Sequence, residues 1–66
     1  MRTVLKNYSK NTETIYNFEN FVCTVYLDNS KYMTKKYQNI DELLDALRTN
    51  VEVCEKKGFQ FSLLNN

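Results

Sequence analysis

The stretch from Asn39 to Gly58, N-I-D-E-L-L-D-A-L-R-T-N-V-E-V-C-E-K-K-G, limits what this chain can become more than any other part of it. Wound at about 3.6 residues per turn, Ile40, Leu43, Leu44, Leu47, Val51 and Cys54 fall within roughly 100° of arc and make one apolar stripe. Asn39 stands where an N-cap is needed, with Glu42 three residues on in a capping-box arrangement. Asp41 and Glu42 sit at the positive end of the helix dipole and Lys56 and Lys57 at the negative end, and Gly58 follows as the terminating residue. The spacing predicts one amphipathic helix over residues 40–57. A helix with a single apolar stripe draws most of its stability from the surface it packs on, so the rest of the chain must supply that surface.

The remainder reads as strands. Arg2 to Tyr8 alternates loosely around Val4, Leu5 and Tyr8, and Ser9 to Glu13 is a polar break. Thr14 to Phe18 has the β-branched and aromatic content of a second strand, and its continuation to Asn20 is open between a loop and a bulge. Phe21 to Leu27, F-V-C-T-V-Y-L, is the clearest strand; Asp28-Asn29-Ser30-Lys31 turns the chain and Tyr32 to Gln38 returns. Phe59 to Leu64 is a short last strand suited to a sheet edge. The order β-β-β-β-α-β describes one α+β domain over residues 1–66, an antiparallel sheet of four to five short strands with the helix packed on one face.

With Asn29-Ser30 as a two-residue loop, Leu27 faces Tyr32, Val25 faces Thr34 and Cys23 faces Lys36. That side, which also carries Phe21, is the more apolar and is expected beneath the helix. The core then joins Leu43, Leu47, Val51 and Cys54 to Cys23, Val25 and Leu27. The other side displays Val22, Tyr26, Lys31, Met33, Lys35 and Tyr37. Tyr and Met are enriched at protein interfaces, so these six residues are the expected partner-binding face. A one-residue bulge at the turn would exchange part of the two sets, because side-chain parity in a strand is strict.

Composition narrows the chemistry. A chain of 66 residues allows one domain with one modest core, and a net charge of +1 is too small to imply nucleic acid or a membrane surface. No apolar run approaches a membrane span and M-R-T-V-L-K-N-Y lacks the apolar core of a signal peptide, so a cytoplasmic location and no membrane partner are expected. There is no His, Trp or Pro and a single Gly, which removes the commonest general base and metal ligand and every Gly-rich phosphate loop. No cofactor or metal is expected. Cys23 and Cys54 match no metal or redox spacing and fall on apolar faces, which points to buried free thiols. Asp41/Asp45 and Glu52/Glu55 are carboxylate pairs on the solvent side of the helix, with no apolar wall to shift them. Enzyme activity is not expected.

Charge is segregated along the chain. Asn39 to Lys57 holds five acids and three bases, and the remainder holds six bases and three acids. Solvation of the helix face accounts for this pattern, and two distinct binding surfaces would account for it too. Aromatics interleaved with Lys suit stacking and phosphate contact with single-stranded nucleic acid. The passage V-Y-L-D-N-S-K-Y-M-T-K-K-Y-Q-N-I-D-E-L-L-D-A-L, about a third of the chain, resembles the three-strand-plus-helix DNA readers at the N-termini of some integrases. Lys31, Lys35, Lys36 and the Asn39/Glu42 cap carry that resemblance. Asn29-Ser30 replaces the usual Gly of their turn and Arg is missing from these strands, so the resemblance assigns no family.

The functional expectation is a small non-enzymatic protein-binding module, an inhibitor or modulator of a larger protein. The bias toward nine Asn, seven Lys and five Tyr resembles low-GC coding, as in many Gram-positive bacteria and their phages and plasmids, which suggests a phage or mobile-element accessory type. The alternatives are a nucleic-acid-binding protein using the Tyr/Lys sheet face and a self-associating structural subunit, a homodimer.

Overall fold

A computed structural model describes residues 1–65 of the chain. Strands β1 (Arg2–Asn7), β2 (Thr12–Asn17), β3 (Val22–Leu27) and β4 (Ser30–Lys36) precede helix α1 (Ile40–Lys56) and a last strand, β5 (Phe61–Asn65). Every neighbouring pair is antiparallel and the sheet order is β4-β3-β2-β1-β5. The α+β class and the β-β-β-β-α-β order follow the sequence pattern.

The first two hairpins use the same device. Four-residue loops, Tyr8 to Asn11 and Phe18 to Phe21, separate Asn7 from its partner Thr12 and Asn17 from its partner Val22. Each loop opens after an Asn whose side chain bends back onto it. Asn7 Oδ1 accepts from the Lys10 N–H at 3.3 Å, and Asn17 Oδ1 accepts from the Glu19 N–H at 2.9 Å. Each closes on a residue in the left-handed region, Asn11 at φ 51° and Phe21 at φ 58°. Asn adopts that conformation readily, whereas an aromatic residue does so at a cost of about 1–2 kcal/mol. β2 therefore ends at Asn17, and the segment to Phe21 is a loop.

The ends of α1 follow their caps. Asn39 Oδ1 accepts from the Glu42 N–H at 3.0 Å. At the far end the Gly58 N–H donates to Glu55 O at 3.2 Å and the Phe59 N–H donates to Cys54 O at 2.9 Å. This is the Schellman pattern, with Gly58 at φ 67°, and it turns the chain toward β5.

Leu43, fully buried, and Cys54 pack with Leu5 of β1, Tyr16 of β2 and Cys23 of β3, and Leu47, Val51, Val25 and Phe61 close around them. Cys23 and Val25 of β3 meet Leu43, Leu47, Val51 and Cys54 as expected, but Leu27 lies exposed and α1 comes closest to β1, not to the β3–β4 hairpin. The short link after Lys56 leads into β5, which pairs with β1, so the end of α1 is held over that side of the sheet. Two polar ties fix its rotation. Asn7 Nδ2 donates to Cys54 Sγ at 3.4 Å, and Asn50 Nδ2 donates to Tyr16 Oη at 2.9 Å. Both cysteines are free and buried.

Leu43→Ala should destabilise the fold by about 2–5 kcal/mol, and Leu47→Ala, which is only partly buried, by less. Thermal or denaturant melts of the two variants decide the matter. A larger loss at Leu47 than at Leu43 would mean that the helix is rotated differently on the sheet.

Candidate functional site

The site begins with the β3–β4 turn. Its two central residues are Asp28 at φ 51° and Asn29 at φ 67°, so Leu27 pairs with Ser30. The turn thus lies one residue earlier than the Asn29-Ser30 loop expected from the sequence. Both central positions of a tight type I′ hairpin turn need positive φ, which Asp and Asn tolerate better than Ser. Moving the turn by one residue shifts the pairing by two and leaves the faces unchanged. The register then slips once more, because Tyr26 opposes Lys31 while Val25 opposes Met33, leaving Tyr32 as an extra residue in β4. The net shift is one, and every β4 side chain beyond Tyr32 changes face.

The six residues expected on one binding face are therefore divided between two. Met33, Lys35 and Tyr37 lie on the helix side with Cys23 and Val25, while Val22 and Tyr26 stay on the opposite side with Lys31 across from Tyr26. The bulge at Tyr32 is the physical reason for the correction.

The three displaced residues line an open groove of about 640 Å³ between α1 and the β3–β4 half of the sheet. Cys23, Val25, Met33 and Tyr37 form its floor, and Ala46, Thr49 and Val53 project into it from one flank of α1. These wall residues recur at three- and four-residue spacing, beside the main apolar stripe and on the same helix. Met33 is 47% exposed and Val53 41%, so the floor and the wall both present apolar surface to solvent. The rims are charged with opposite sign. Glu42 and Asp45 stand on α1, and Lys35 stands on β4 with its ammonium 5.0 Å from the Tyr37 ring centre. The groove wall of Ala46, Thr49 and Val53 is a second stripe legible in the sequence at helical spacing but absent from the six expected residues.

Two titratable groups at the bottom of the groove are held neutral. Burial pushes the Tyr16 hydroxyl up to about 12, against a smaller opposing effect of its hydrogen bond from Asn50. Burial also raises the Cys23 thiol, and the nearby Lys35 opposes that only in part. A raised thiol has little thiolate at neutral pH and is a poor nucleophile.

The sheet face away from the helix is a different surface. Cross-strand rows place Arg2, Asn17, Val22 and Lys36 together, then Leu64, Val4, Ile15, Thr24 and Thr34, then Ser62, Lys6, Glu13, Tyr26 and Lys31. The middle row is mostly apolar and the outer rows carry four bases against one acid. A smaller, polar depression of about 270 Å³ beside Tyr26 is lined in part by Lys6, Tyr8, Glu13 and Asn29.

Among the described residues no three His, Cys, Asp or Glu side chains come together as metal ligands, and no helix is long and apolar enough to cross a membrane. Comparison of the chain with protein-family models, with curated proteins and with solved structures finds no match.

The Tyr16 hydroxyl makes stability fall at high pH. The unfolded chain releases this proton near the ordinary value of 10.0 and the folded chain holds it to about 12, so the folded state loses ground between those values. Melts of the wild type and Tyr16→Phe from pH 8 to pH 12 should converge as pH rises. A constant difference between them across that range would contradict the burial of this hydroxyl.

Proposed function

We infer that this chain is a non-enzymatic protein-binding module that modulates a larger protein by docking onto it. The observation that carries this reading is the groove beside α1. Its floor and wall present apolar surface to solvent at Met33 and Val53, which a docked partner would bury. The small side chains Ala46 and Thr49 allow close approach of a partner element along α1. The partner element that fits is an amphipathic helix with bases facing Glu42 and Asp45 and an acid facing Lys35. The high proton affinity of Tyr16 and Cys23 at the bottom of the groove favours binding over catalysis. An inhibitory role of the phage or mobile-element type rests on composition alone, through the Asn, Lys and Tyr bias.

A second reading has its own observation. Arg2, Lys6, Lys31 and Lys36 surround Tyr26 and an apolar centre on the opposite face, an arrangement suited to single-stranded nucleic acid. Binding on that face would weaken steeply with salt, and each lysine cut to alanine would lower the salt slope by roughly one.

Capture from cells with the wild type, Met33→Glu, Val53→Glu and Thr34→Glu separates the two readings. Met33 and Thr34 are neighbours in sequence and lie on opposite faces. A partner held by the wild type and by Thr34→Glu should be lost from both groove variants, with affinity reduced more than about tenfold, or roughly 1.4 kcal/mol. Circular dichroism checks that each variant is folded. Loss confined to Thr34→Glu, or the same captured set with all four proteins, would remove the groove as the docking site.

A further inference from the structure

The sheet has two outer strands, β4 and β5, and they are built in opposite ways. An outer strand presents a row of backbone N–H and C=O groups that can pair with another chain, and Lys residues and bulges oppose such pairing. β4 carries Lys31, Lys35 and Lys36 and is bulged at Tyr32. β5, F-S-L-L-N, carries no charged residue and runs in unbroken register against β1 from Phe61 to Asn65. Its two leucines point to opposite faces, and Leu63 is 47% and Leu64 49% exposed. On α1, Ile40, which is exposed, and the half-buried Leu44 lie on the flank opposite the groove wall of Ala46, Thr49 and Val53. On the other side of the sheet Leu64 continues the apolar row through Val4 and Ile15. The apolar surface at this edge thus wraps both faces of one uncharged strand.

We propose that two copies of this chain associate through β5, paired antiparallel about a twofold axis, so that the two sheets join into one. The charge pattern selects this pairing among the three that the outer strands allow. Pairing β4 with β4 sets lysines against lysines across the join. Pairing β4 with β5 is head-to-tail and leaves a free edge at each end, which gives an open chain of molecules. Pairing β5 with β5 opposes no like charges, covers Leu63 and Leu64 on both copies, and leaves only the two lysine-bearing β4 edges outside. It also sets the two β3–β4 grooves at the far ends of the joined sheet, where neither is covered. The assembly would then offer two equivalent sites, and a partner with two copies of the docking element would gain from avidity. The pairing itself does not depend on what the groove binds.

Sedimentation velocity of the full chain over a wide concentration range tests the proposal. The wild type should pass from monomer to dimer as concentration rises. Leu63→Lys and Leu64→Lys should each raise the dimer dissociation constant at least tenfold, and Met33→Glu should leave it unchanged. Amide hydrogen exchange on the wild type needs no substitution and covers the case in which a leucine variant fails to fold. Protection in β5 should increase with concentration while protection in β4 does not. A wild type that stays monomeric throughout, a dimer that survives both leucine substitutions, a dimer lost with Met33→Glu, or protection that grows in β4 would each overturn the β5 pairing. Monomeric protein that still binds its partner through the groove would overturn this inference and leave the docking reading intact.

Discussion

One helix cannot cover five strands. An α-helix with its side chains is about 10–12 Å across, while five strands spaced about 4.8 Å apart span about 19 Å between the outer axes. Here α1 settles over β1 and β2, where Leu43 and Cys54 meet Leu5 and Tyr16 and reach Cys23 on β3, and the rest of the β3–β4 half of the same face is left open. The core and the groove therefore have a common origin in this mismatch. Where the helix lies is set by a short connection: β5 must pair with β1, and the chain reaches it within a few residues of the Gly58 cap.

The bulge at Tyr32 decides what the open half contains. Without the extra residue, the lower part of β4 would offer Thr34 and Lys36 to the helix side and a largely polar floor. With it, Met33 and Tyr37 complete an apolar floor that continues from Cys23 and Val25. The same irregularity twists β4 and, with its lysines, makes that edge a poor template for another strand. A single residue thus links the chemistry of the groove to the different characters of the two edges.

The polar groups in the interior locate the elements relative to one another. Asn7 is buried, and its amide serves two structures at once: the oxygen holds the first loop at Lys10 and the nitrogen reaches Cys54 on α1. Tyr16 and Asn50 make a second tie within the lining of the groove. Buried polar groups must be paired to be tolerated, so each tie favours one position of the helix over its neighbours. A purely apolar contact between the stripe and the sheet would leave more freedom to slide.

Much of this architecture was legible in the order of the residues. The helix could be read from a 3.6-residue period framed by Asn39 and Gly58, because capping and periodicity are local properties. Strand order along the chain, the α+β class and the apolar character of both cysteines were legible for the same reason. The candidate site was legible only in part: Val22, Tyr26, Lys31, Met33, Lys35 and Tyr37 could be singled out by residue type, but not assigned to their two faces. Alternation carries only parity, and parity beyond Tyr32 depends on a bulge that forms when β4 aligns on β3. Placement of α1 over β1 and β2, and with it the position of the groove, was equally absent from any local pattern. It arises from the pairing of β5 with β1, a contact between the two ends of the sequence. The residues alone determined which segments were helix and strand, and the tertiary structure decided which side of the sheet each side chain faces, because facing is a relation between strands distant in the chain.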